Sequence, residues 1–247
     1  MSRHERHSIF ALPPSEMTIV RTMKKLRTVK PYRDYPKVAL PESLPASSKT
    51  LDEVVTSRAT ARQMSGGEIF LPELAKTLYM SYAVTRTNED NDFPRPFRTI
   101  PSGGALYPLE IYLHASRVHG LDRGLYHFDP EDLNLDVLRT VDESERIANS
   151  LFQPELALSA AAILMISAVF VRSTFKYGDR GYRFILIEAG HMVQNAVLVA
   201  SELGLTATPV GGYLDREMDR YLGLDGITES VVYMLLLGAP EGDRNSG

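Results

Sequence analysis

The sequence predicts an α+β fold on three observations. Apolar residues recur at helical spacing over residues 182–203, and Gly204 follows where such a helix should stop. The run 161–171 is almost entirely apolar and rich in β-branched residues, which predicts a buried central strand. The predicted strands do not alternate regularly with the predicted helices, which favours α+β over α/β.

The N-terminal part of the chain predicts one helix and a long connection. Apolar residues lie on one side of a helix drawn through residues 14–30, namely Met17, Val20, Met23 and Leu26. A Pro/Ser-rich stretch ending near Ser48 predicts extended chain lying over a surface. The other predicted elements are helices at 51–57, 71–83, 142–152 (capped by Asp142) and 214–222, strands at 110–117, 124–127, 133–138, 206–210 and 231–237, and a polar loop at 90–96.

Composition limits the class of protein. The chain has 247 residues, 44% of them hydrophobic and 23% charged, which is typical of a globular protein with one large domain or one and a half small ones. The formal net charge of −4 provides no field that would favour nucleic acid. Basic residues concentrate in residues 1–33, where we expect a solvated, partly ordered extension; the alternative is a basic arm that contacts an acidic partner or a phosphate.

The chain contains no cysteine, which excludes disulfides, thiolate metal sites, iron–sulfur clusters and cysteine nucleophiles. We therefore expect a cytoplasmic protein without a metal site. No apolar run approaches the roughly 20 residues that a membrane helix needs. The N-terminus also lacks an apolar region long enough for a signal peptide, so no membrane association is expected.

A glycine-rich loop is the most informative motif. Pro101 and Ser102 precede Gly103 and Gly104, and an apolar segment follows. Adjacent glycines let the backbone pass close to a flat ligand and adopt positive φ, and the turn offers a hydroxyl and free N–H groups. Taken alone, the loop could be an anion or cofactor site, although a bare tight turn is the commoner explanation.

Three further segments carry candidate site residues, and each also has an ordinary structural explanation. The turn Val210-Gly211-Gly212 could simply connect a strand to a helix. Two arginines near a helix end, Arg58 and Arg62, would usually be solvated charges, and a Lys-Tyr pair usually has no special role. The full candidate segments are Ser57-Arg58-Ala59-Thr60-Ala61-Arg62, Thr208-Pro209-Val210-Gly211-Gly212-Tyr213 and Phe175-Lys176-Tyr177-Gly178.

The complete run Pro101-Ser102-Gly103-Gly104-Ala105-Leu106-Tyr107-Pro108 resembles the signature of SagB-type dehydrogenases, a branch of the FMN-dependent nitroreductase superfamily. The resemblance extends over residues 51–240. It implies a nitroreductase-like fold in which helices flank a central, mostly antiparallel or mixed sheet. It also implies a homodimer with FMN at the interface and each site built from both chains. The predicted organisation is an extension at 1–50, an FMN domain at 51–240 and a tail at 241–247.

The resemblance assigns cofactor contacts. The Val210–Gly212 turn resembles the one whose backbone N–H bonds flavin N5, and such a preorganised donor can be worth ~3 kcal/mol. Arg58 would hold the FMN phosphate, Thr60 the phosphate or ribityl chain, and Arg62 the pyrimidine edge. The family motif is Arg-Arg-Ser-x-Arg, so Ala59 removes one phosphate contact. Gln194 would lie near the flavin or the dimer seam, unless it is an ordinary polar residue of the interior. In the tail, Arg244 is the candidate for a phosphate contact. The other implied cofactor positions are Pro101, Ser102, Gly103 and Gly104.

The resemblance also assigns a catalytic pair, because SagB-type azoline dehydrogenases carry a Lys-Tyr dyad at the place of Lys176 and Tyr177. Free tyrosine, with a pKa of about 10, is a poor base at neutral pH. A neighbouring ammonium favours the phenolate and makes proton abstraction feasible. Tyr177, aided by Lys176, is thus the expected base.

The implied function is oxidation of a thiazoline or oxazoline ring, in a peptide or another natural-product intermediate, to the azole. Hydride would pass to flavin N5, and oxygen would reoxidise the flavin. A cyclodehydratase or another biosynthetic protein is the candidate partner. The alternatives are an NAD(P)H-dependent nitro- or ene-reductase, and a flavin-carrying scaffold component of a biosynthetic complex.

Overall fold

The computed structural model describes residues 14–87 and 96–239. Several expectations fall outside these ranges: the start of the basic segment before residue 14, most of the polar loop at 90–96, and the tail with Arg244. The strands are Lys37–Ala39 (β1), Ile69–Phe70 (β2), Val84–Thr87 (β3), Pro96–Arg98 (β4), Leu109–Ala115 (β5), Val118–His119 (β6), Gly124–Asp129 (β7), Asn134–Arg139 (β8), Ala162–Val169 (β9), Thr206–Val210 (β10) and Glu229–Gly238 (β11).

A seven-stranded sheet forms the centre of the molecule, in the order β1-β8-β7-β5-β9-β11-β10. Each pair of neighbouring strands in it is antiparallel. The α+β prediction is therefore confirmed, with a wholly antiparallel central sheet. The helices are Glu16–Lys25 (α1), Leu51–Ser57 (α2), Leu71–Tyr82 (α3), Ser144–Ala148 (α4), Pro154–Ser159 (α5), Val171–Tyr177 (α6), Arg180–Glu202 (α7) and Asp215–Leu222 (α8), with a 3₁₀ turn at Gly103–Ala105.

Alternate residues of β5 enter two different cores, one on each face of the sheet. Ile111 and Leu113 lie in the core that contains residues of α3 and α7. Tyr112 lies in the core that contains residues of α4, α5 and α8. Full burial of a large apolar side chain contributes about 1.5–3 kcal/mol, so these two layers fix the positions of the helices on both faces.

The strand predicted at 161–171 is shorter than expected. β9 ends at Val169, and Phe170 already has helical φ and ψ of −57° and −39° at the start of α6. Where the chain leaves the sheet and enters α6, Arg172 is buried against Glu110, with 2.5 Å between their charged groups. A prediction based on the apolar run could not include this charged pair, which belongs to residues far apart in sequence.

The helix predicted at 142–152 is also broken. Only Ser144–Ala148 is helical, and α5 is a separate helix that begins with Pro154. The N-cap is Glu143, whose side chain makes no capping bond; Asp142 instead accepts a hydrogen bond from the Ser144 backbone N–H at 3.0 Å. The prediction that Asp142 caps the helix was therefore wrong, and α4 ends at Ala148, six residues before the proline that begins α5.

The first predicted helix, 14–30, forms over a shorter range. Ser15 caps α1 by accepting a bond from the Thr18 N–H at 3.3 Å, and Leu26 is already extended. Helix α7 is the one helix in the described ranges that is long and apolar enough, by length and composition alone, to span a membrane. Its buried residues Ile185, Met192 and Val193 belong to the core described above, which accounts for its apolar character.

The directions of the strands bring the candidate segments towards one end of the sheet, where some strands begin and others stop. Leu109, at the start of β5, pairs with Ala168 near the end of β9, and Val169 pairs with Glu229 at the start of β11. The glycine loop before β5 and helix α6 after β9 therefore leave the sheet at the same end of the strands. β10 runs towards that end and stops at Val210, where the second glycine turn begins.

Candidate active site

The first glycine loop holds a strained turn immediately before β5. Gly104 has a φ of +68°, and the non-glycine residues Ala105 and Tyr107 have φ of +53° and +45°. Two hydrogen bonds to Ser102 close the turn. The Ser102 carbonyl accepts one from the Ala105 N–H at 3.0 Å, and the Ser102 Oγ accepts the other from the Tyr107 N–H at 2.9 Å. Non-glycine residues in left-handed backbone cost about 1–3 kcal/mol each, and such strain concentrates at functional sites.

The loop and the Lys-Tyr pair, distant in sequence, meet at Gly104. A Cβ built on Gly104 would lie 2.6 Å from the Tyr177 hydroxyl and 2.8 Å from Lys176 Nζ. The Lys176 ammonium lies 5.3 Å from the centroid of the Tyr177 ring. The Tyr177 ring in turn packs edge-on against Phe184, with 4.9 Å between centroids. The absence of a side chain at residue 104 is therefore what admits both polar groups to the loop.

Helix α6, which carries the pair, is held tightly against α7. A Cβ on Gly181 would lie 2.9 Å from backbone atoms of Ser173 and Thr174, so only glycine permits this close approach. Gly178, with a φ of +54°, ends α6 directly after Tyr177. The orientation of the pair is thus set by backbone packing at the junction of the two helices.

The arginine segment lies beside β10. The Ala61 N–H donates to the Ala207 carbonyl at 3.2 Å, and the Thr208 hydroxyl donates to the Ala61 carbonyl at 2.7 Å. Arg58 Nη1 donates to Thr60 Oγ1 at 3.3 Å. Ala59, Thr60 and Arg62 are exposed and Arg58 is half-buried, so the cationic groups remain available to a ligand. The segment ends its helix as the sequence predicts, since Arg58 is the C-cap of α2.

The other predicted site residues lie at the surface. Gly211 is exposed, and Gly212 is half-buried, with its missing Cβ only 3.0 Å from the exposed Phe152 ring. Gln194 is exposed on α7, whereas its neighbour Asn195 donates to the Met80 carbonyl at 3.3 Å. The structure thus forms two groups: the loop at 101–104 with Lys176 and Tyr177, and the segment at 58–62 with the turn at 210–212.

A buried carboxyl beneath the first loop received no role from the sequence. Glu188 of α7 is 2% exposed and accepts a hydrogen bond from the Tyr82 hydroxyl at 3.2 Å. Burial raises the pKa of Glu188 to about 7, against the opposing effects of a hydrogen bond from Ser102, the charge of Arg98 and the Tyr82 bond. The sequence offered one sign of Glu188: it is a single acidic residue between the core positions Ile185 and Ala189, on a helix face that is otherwise apolar.

Arg98 was also missed. Its guanidinium lies 4.2 Å from the Tyr82 ring centroid and 4.9 Å from that of Tyr107, and Nη2 donates to the Thr28 carbonyl at 3.0 Å. Its Nε and Nη1 are buried without a hydrogen-bond partner. Arg98 lines a cleft of about 590 Å³. The cleft is also lined by Arg86, Phe97, Thr99, Ile100, Pro101, Ser102, Gly104, Ala105 and Tyr107.

We expect Glu188→Gln to change how stability depends on pH. A carboxyl whose pKa rises from 4.5 unfolded to about 7 folded favours the folded state below pH 4.5 and loses that contribution as the pH rises to 7. The neutral amide should remove this loss, so the variant should gain up to about 3 kcal/mol relative to the parent between pH 4.5 and pH 8. Urea unfolding at both pH values measures the difference. The exposed Glu145→Gln is the control, and identical pH profiles for all three proteins would contradict the expectation.

The wholly antiparallel central sheet, flanked by helices and backed by the long core helix, is the nitroreductase-like fold. Residues 69–239 match the family model described as Nitroreductase family. The chain therefore belongs to that family, which makes it an enzyme of the flavin oxidoreductase type and confirms the family predicted from the motifs.

Relatives and solved structures agree with this assignment. A protein named for the same family, MJ1384 of Methanocaldococcus jannaschii, is 35% identical over 174 residues, which cover 70% of this chain and 83% of that protein. The microcin B17-processing protein McbC of Escherichia coli is 32% identical over 162 residues, covering 60% of this chain and 56% of McbC. The chain thus spans little more than half the length of McbC.

Two solved structures support the fold alone, because their sequence identities are low. A chain of the E. coli microcin synthetase McbBCD complex with truncated pro-MccB17 superposes with a TM-score of 0.62 at 24% identity, covering 97% of this chain and 86% of that chain. A nitroreductase from Desulfovibrio desulfuricans, solved in complex with FMN, superposes with a TM-score of 0.54 at 14% identity, covering 79% and 89%.

Proposed function

We propose that this protein is an FMN-dependent dehydrogenase that oxidises a thiazoline or oxazoline ring to the azole. The observation that carries the proposal is the meeting of the Tyr177 hydroxyl, Lys176 Nζ and the side-chain-free Gly104 at one point. The relationship to McbC supports the substrate class, since that protein processes microcin B17. The McbBCD structure supports a biosynthetic partner, for which a cyclodehydratase is our candidate.

The residues present fit FMN. No atom lies within 4 Å of the missing Cβ of Gly211, so the second turn has open space beside it. Donors on the half-buried Arg58 and the exposed Thr60 and Arg62 suit a phosphate, a ribityl chain and a pyrimidine edge. The loop at 101–104 and the turn at 210–212 would contact the ring through backbone N–H groups. When bound, FMN supplies the hydride acceptor at N5, and oxygen is the terminal oxidant.

The chain's own residues handle the proton. Tyr177 removes the proton from Cα of the azoline while hydride leaves Cβ, so that one C–H bond breaks at each carbon and a C=C bond forms. The Lys176 ammonium stabilises the phenolate that this requires. The ring contact of Tyr177 with Phe184 limits rotation of the base and excludes water from one side of it.

A homodimer completes the proposal. The outer face of α7 exposes Tyr182 (52%), Leu186 (41%) and Ile187 (48%), which together make an apolar stripe. Gln194 lies on the same exposed side of α7, two turns after Ile187. Pairing of two such faces would cover this surface and let each cofactor contact residues of both chains.

The protein should purify yellow, with one non-covalent FMN per chain, because separate segments each offer groups suited to one part of that cofactor. Heat release of the chromophore and mass measurement identify it. Addition of an azoline substrate in air then tests the reaction, and rapid NAD(P)H bleaching tests the second candidate, a reductase, which the similarity to MJ1384 favours. A colourless protein that FMN cannot reconstitute would overturn the proposal and favour a partner-scaffolding role without flavin.

Arg62→Ala should weaken FMN binding, because it removes an exposed guanidinium placed beside β10 by the Ala61 hydrogen bonds. Loss of a hydrogen bond to a charged group corresponds to about 10-fold to 100-fold in affinity. Fluorescence titration of the apoprotein with FMN measures it. The control is Arg123→Ala, an exposed arginine between β6 and β7. Equal affinity in Arg62→Ala and the parent would remove Arg62 from the site.

A further inference from the structure

A buried charged cluster lies on the sheet face opposite α3 and α7. Glu110 bridges Arg172 and His127, at 2.5 Å from Arg172 Nη2 and 2.7 Å from His127 Nε2. His127 Nδ1 lies 3.1 Å from Asp136. These side chains are all at least nine-tenths buried. Burial disfavours a charged His127, but its bonds to the two carboxylates oppose this and raise its pKa, and the protonated ring can donate from both nitrogens.

A short N-terminal segment, residues 28–32, which we call the strap, covers this cluster. Lys30 Nζ lies 2.8 Å from Glu229 Oε2 and 2.8 Å from the Tyr112 hydroxyl. The Tyr32 ring lies over His127, with 4.7 Å between centroids, and its hydroxyl is 3.1 Å from that of Tyr112. The strap is therefore packed into the sheet face and supplies one of the cluster's cations.

Within the described residues, Lys30 of the strap is the one cation that forms an ion pair with Glu229. The carboxylates of the cluster are Glu110, Asp136 and Glu229, and its buried or half-buried cations are Arg172, His127 and Lys30. Lys37 adds a more exposed contact at the rim, 3.3 Å from Asp136. Without Lys30, Glu229 would keep only the Ser167 hydroxyl, at 2.6 Å, as a side-chain hydrogen-bond partner within residues 14–87 and 96–239. An uncompensated buried carboxylate is costly, so the surrounding elements would rearrange.

The rearrangement would reach both the helix that carries the Lys-Tyr pair and the glycine loop at 101–104. Arg172 lies on the same short helix as Lys176 and Tyr177, and the Phe170 N–H that precedes this helix donates to the Thr228 carbonyl, next to Glu229. Helix α1, just before the strap, packs against α6. At its other end, the strap's Thr28 carbonyl accepts from Arg98, which supports the glycine loop through the Tyr107 ring.

We propose that the strap is a positioning element of the active site: Lys30, through Glu229 and the buried cluster, holds α6 so that Lys176 and Tyr177 meet the loop at Gly104. The strap lies outside the residues matched by the family model, which begin at Ile69. The inference rests on the proposed function in one respect, namely that the Lys-Tyr pair performs the chemistry.

The test compares Lys30→Met with Lys49→Met in the FMN-loaded, full-length protein. Lys49 belongs to the same N-terminal region, but its Nζ donates to the Ser201 carbonyl at the far end of α7. In Lys30→Met, kcat for azoline oxidation should fall roughly 10-fold to 100-fold, with KM and FMN content nearly unchanged. Amide hydrogen exchange in residues 171–177 should become about tenfold faster, while that in α7 stays at the parent's rate. Lys30→Arg should restore both.

The exchange measurement separates the two proposals, because it requires no turnover. If the parent oxidises no azoline but exchange in α6 still depends on Lys30, the proposed function fails and the positioning role stands. If exchange and kcat in Lys30→Met match those of Lys49→Met, the strap is not a positioning element. Should Lys30→Met not fold, Lys30→Gln, which keeps a donor for Glu229, is judged by the same two measurements.

Discussion

Tyr177→Phe should retain FMN and the fold but lose azoline oxidation by ~10²–10⁴-fold, the usual contribution of a general base. Phenylalanine keeps the ring contact with Phe184 at the junction of α6 and α7 and removes only the hydroxyl beside Gly104. Single-turnover reduction of the bound flavin by substrate measures the step directly, without the later reoxidation.

The control for this variant is Tyr79→Phe, the same change at a half-buried tyrosine of α3. Lys176→Ala should act in the same direction as Tyr177→Phe, because the phenolate loses its ammonium neighbour. The double variant should be little worse than either single one, since the two groups act as a unit. Near-parental flavin reduction in Tyr177→Phe would refute the base assignment and leave the reductase as the better candidate.

Periodicity was enough to predict much of the fold, and local motifs were enough to select the glycine loop and the Lys-Tyr pair, which meet in the structure. The long helix at 180–202 and the central strand at 162–169 could be predicted because their apolar patterns are set by neighbours in sequence. The glycine loop was recognisable because a positive φ at Gly104 demands a particular residue type. Both signals are local, and the structure needs only to bring them together.

What could not be predicted depends on pairs that are distant in sequence. Arg98 bonds the Thr28 carbonyl, Lys30 pairs with Glu229, and the partners of Glu188 come from α3 and the glycine loop. Each of these polar residues would be read as solvated when its partner is unknown. The strap was for the same reason assigned to a solvated extension, although Lys30 and Tyr32 pack onto the sheet.

The second large effect is expected at Gly104. Alanine there should place a Cβ 2.6 Å from the Tyr177 hydroxyl and 2.8 Å from Lys176 Nζ, closer than non-bonded atoms can approach. Both groups are ends of side chains and can move away, so the fold should survive while the pair is displaced. A shift of about 1 Å in reacting groups can cost roughly 10²-fold in rate, and we expect a loss of that size in azoline oxidation.

The effect of backbone strain at residue 104 must be separated from the effect of displacing the Lys-Tyr pair, because a left-handed backbone at alanine itself costs roughly 1–2 kcal/mol. Gly223 provides the matched control: its φ is +72° against +68° at Gly104, and no atom lies within 4 Å of its missing Cβ. Gly104→Ala and Gly223→Ala should therefore lose similar free energy of unfolding, measured in urea, while only Gly104→Ala loses flavin reduction by substrate. Equal activity in the two variants would show that the Lys-Tyr pair does not act from its place beside the loop. Loss of activity in Gly104→Ala without loss of bound flavin would locate the defect at the proton-transfer groups, because cofactor binding would then be intact while the base is misplaced.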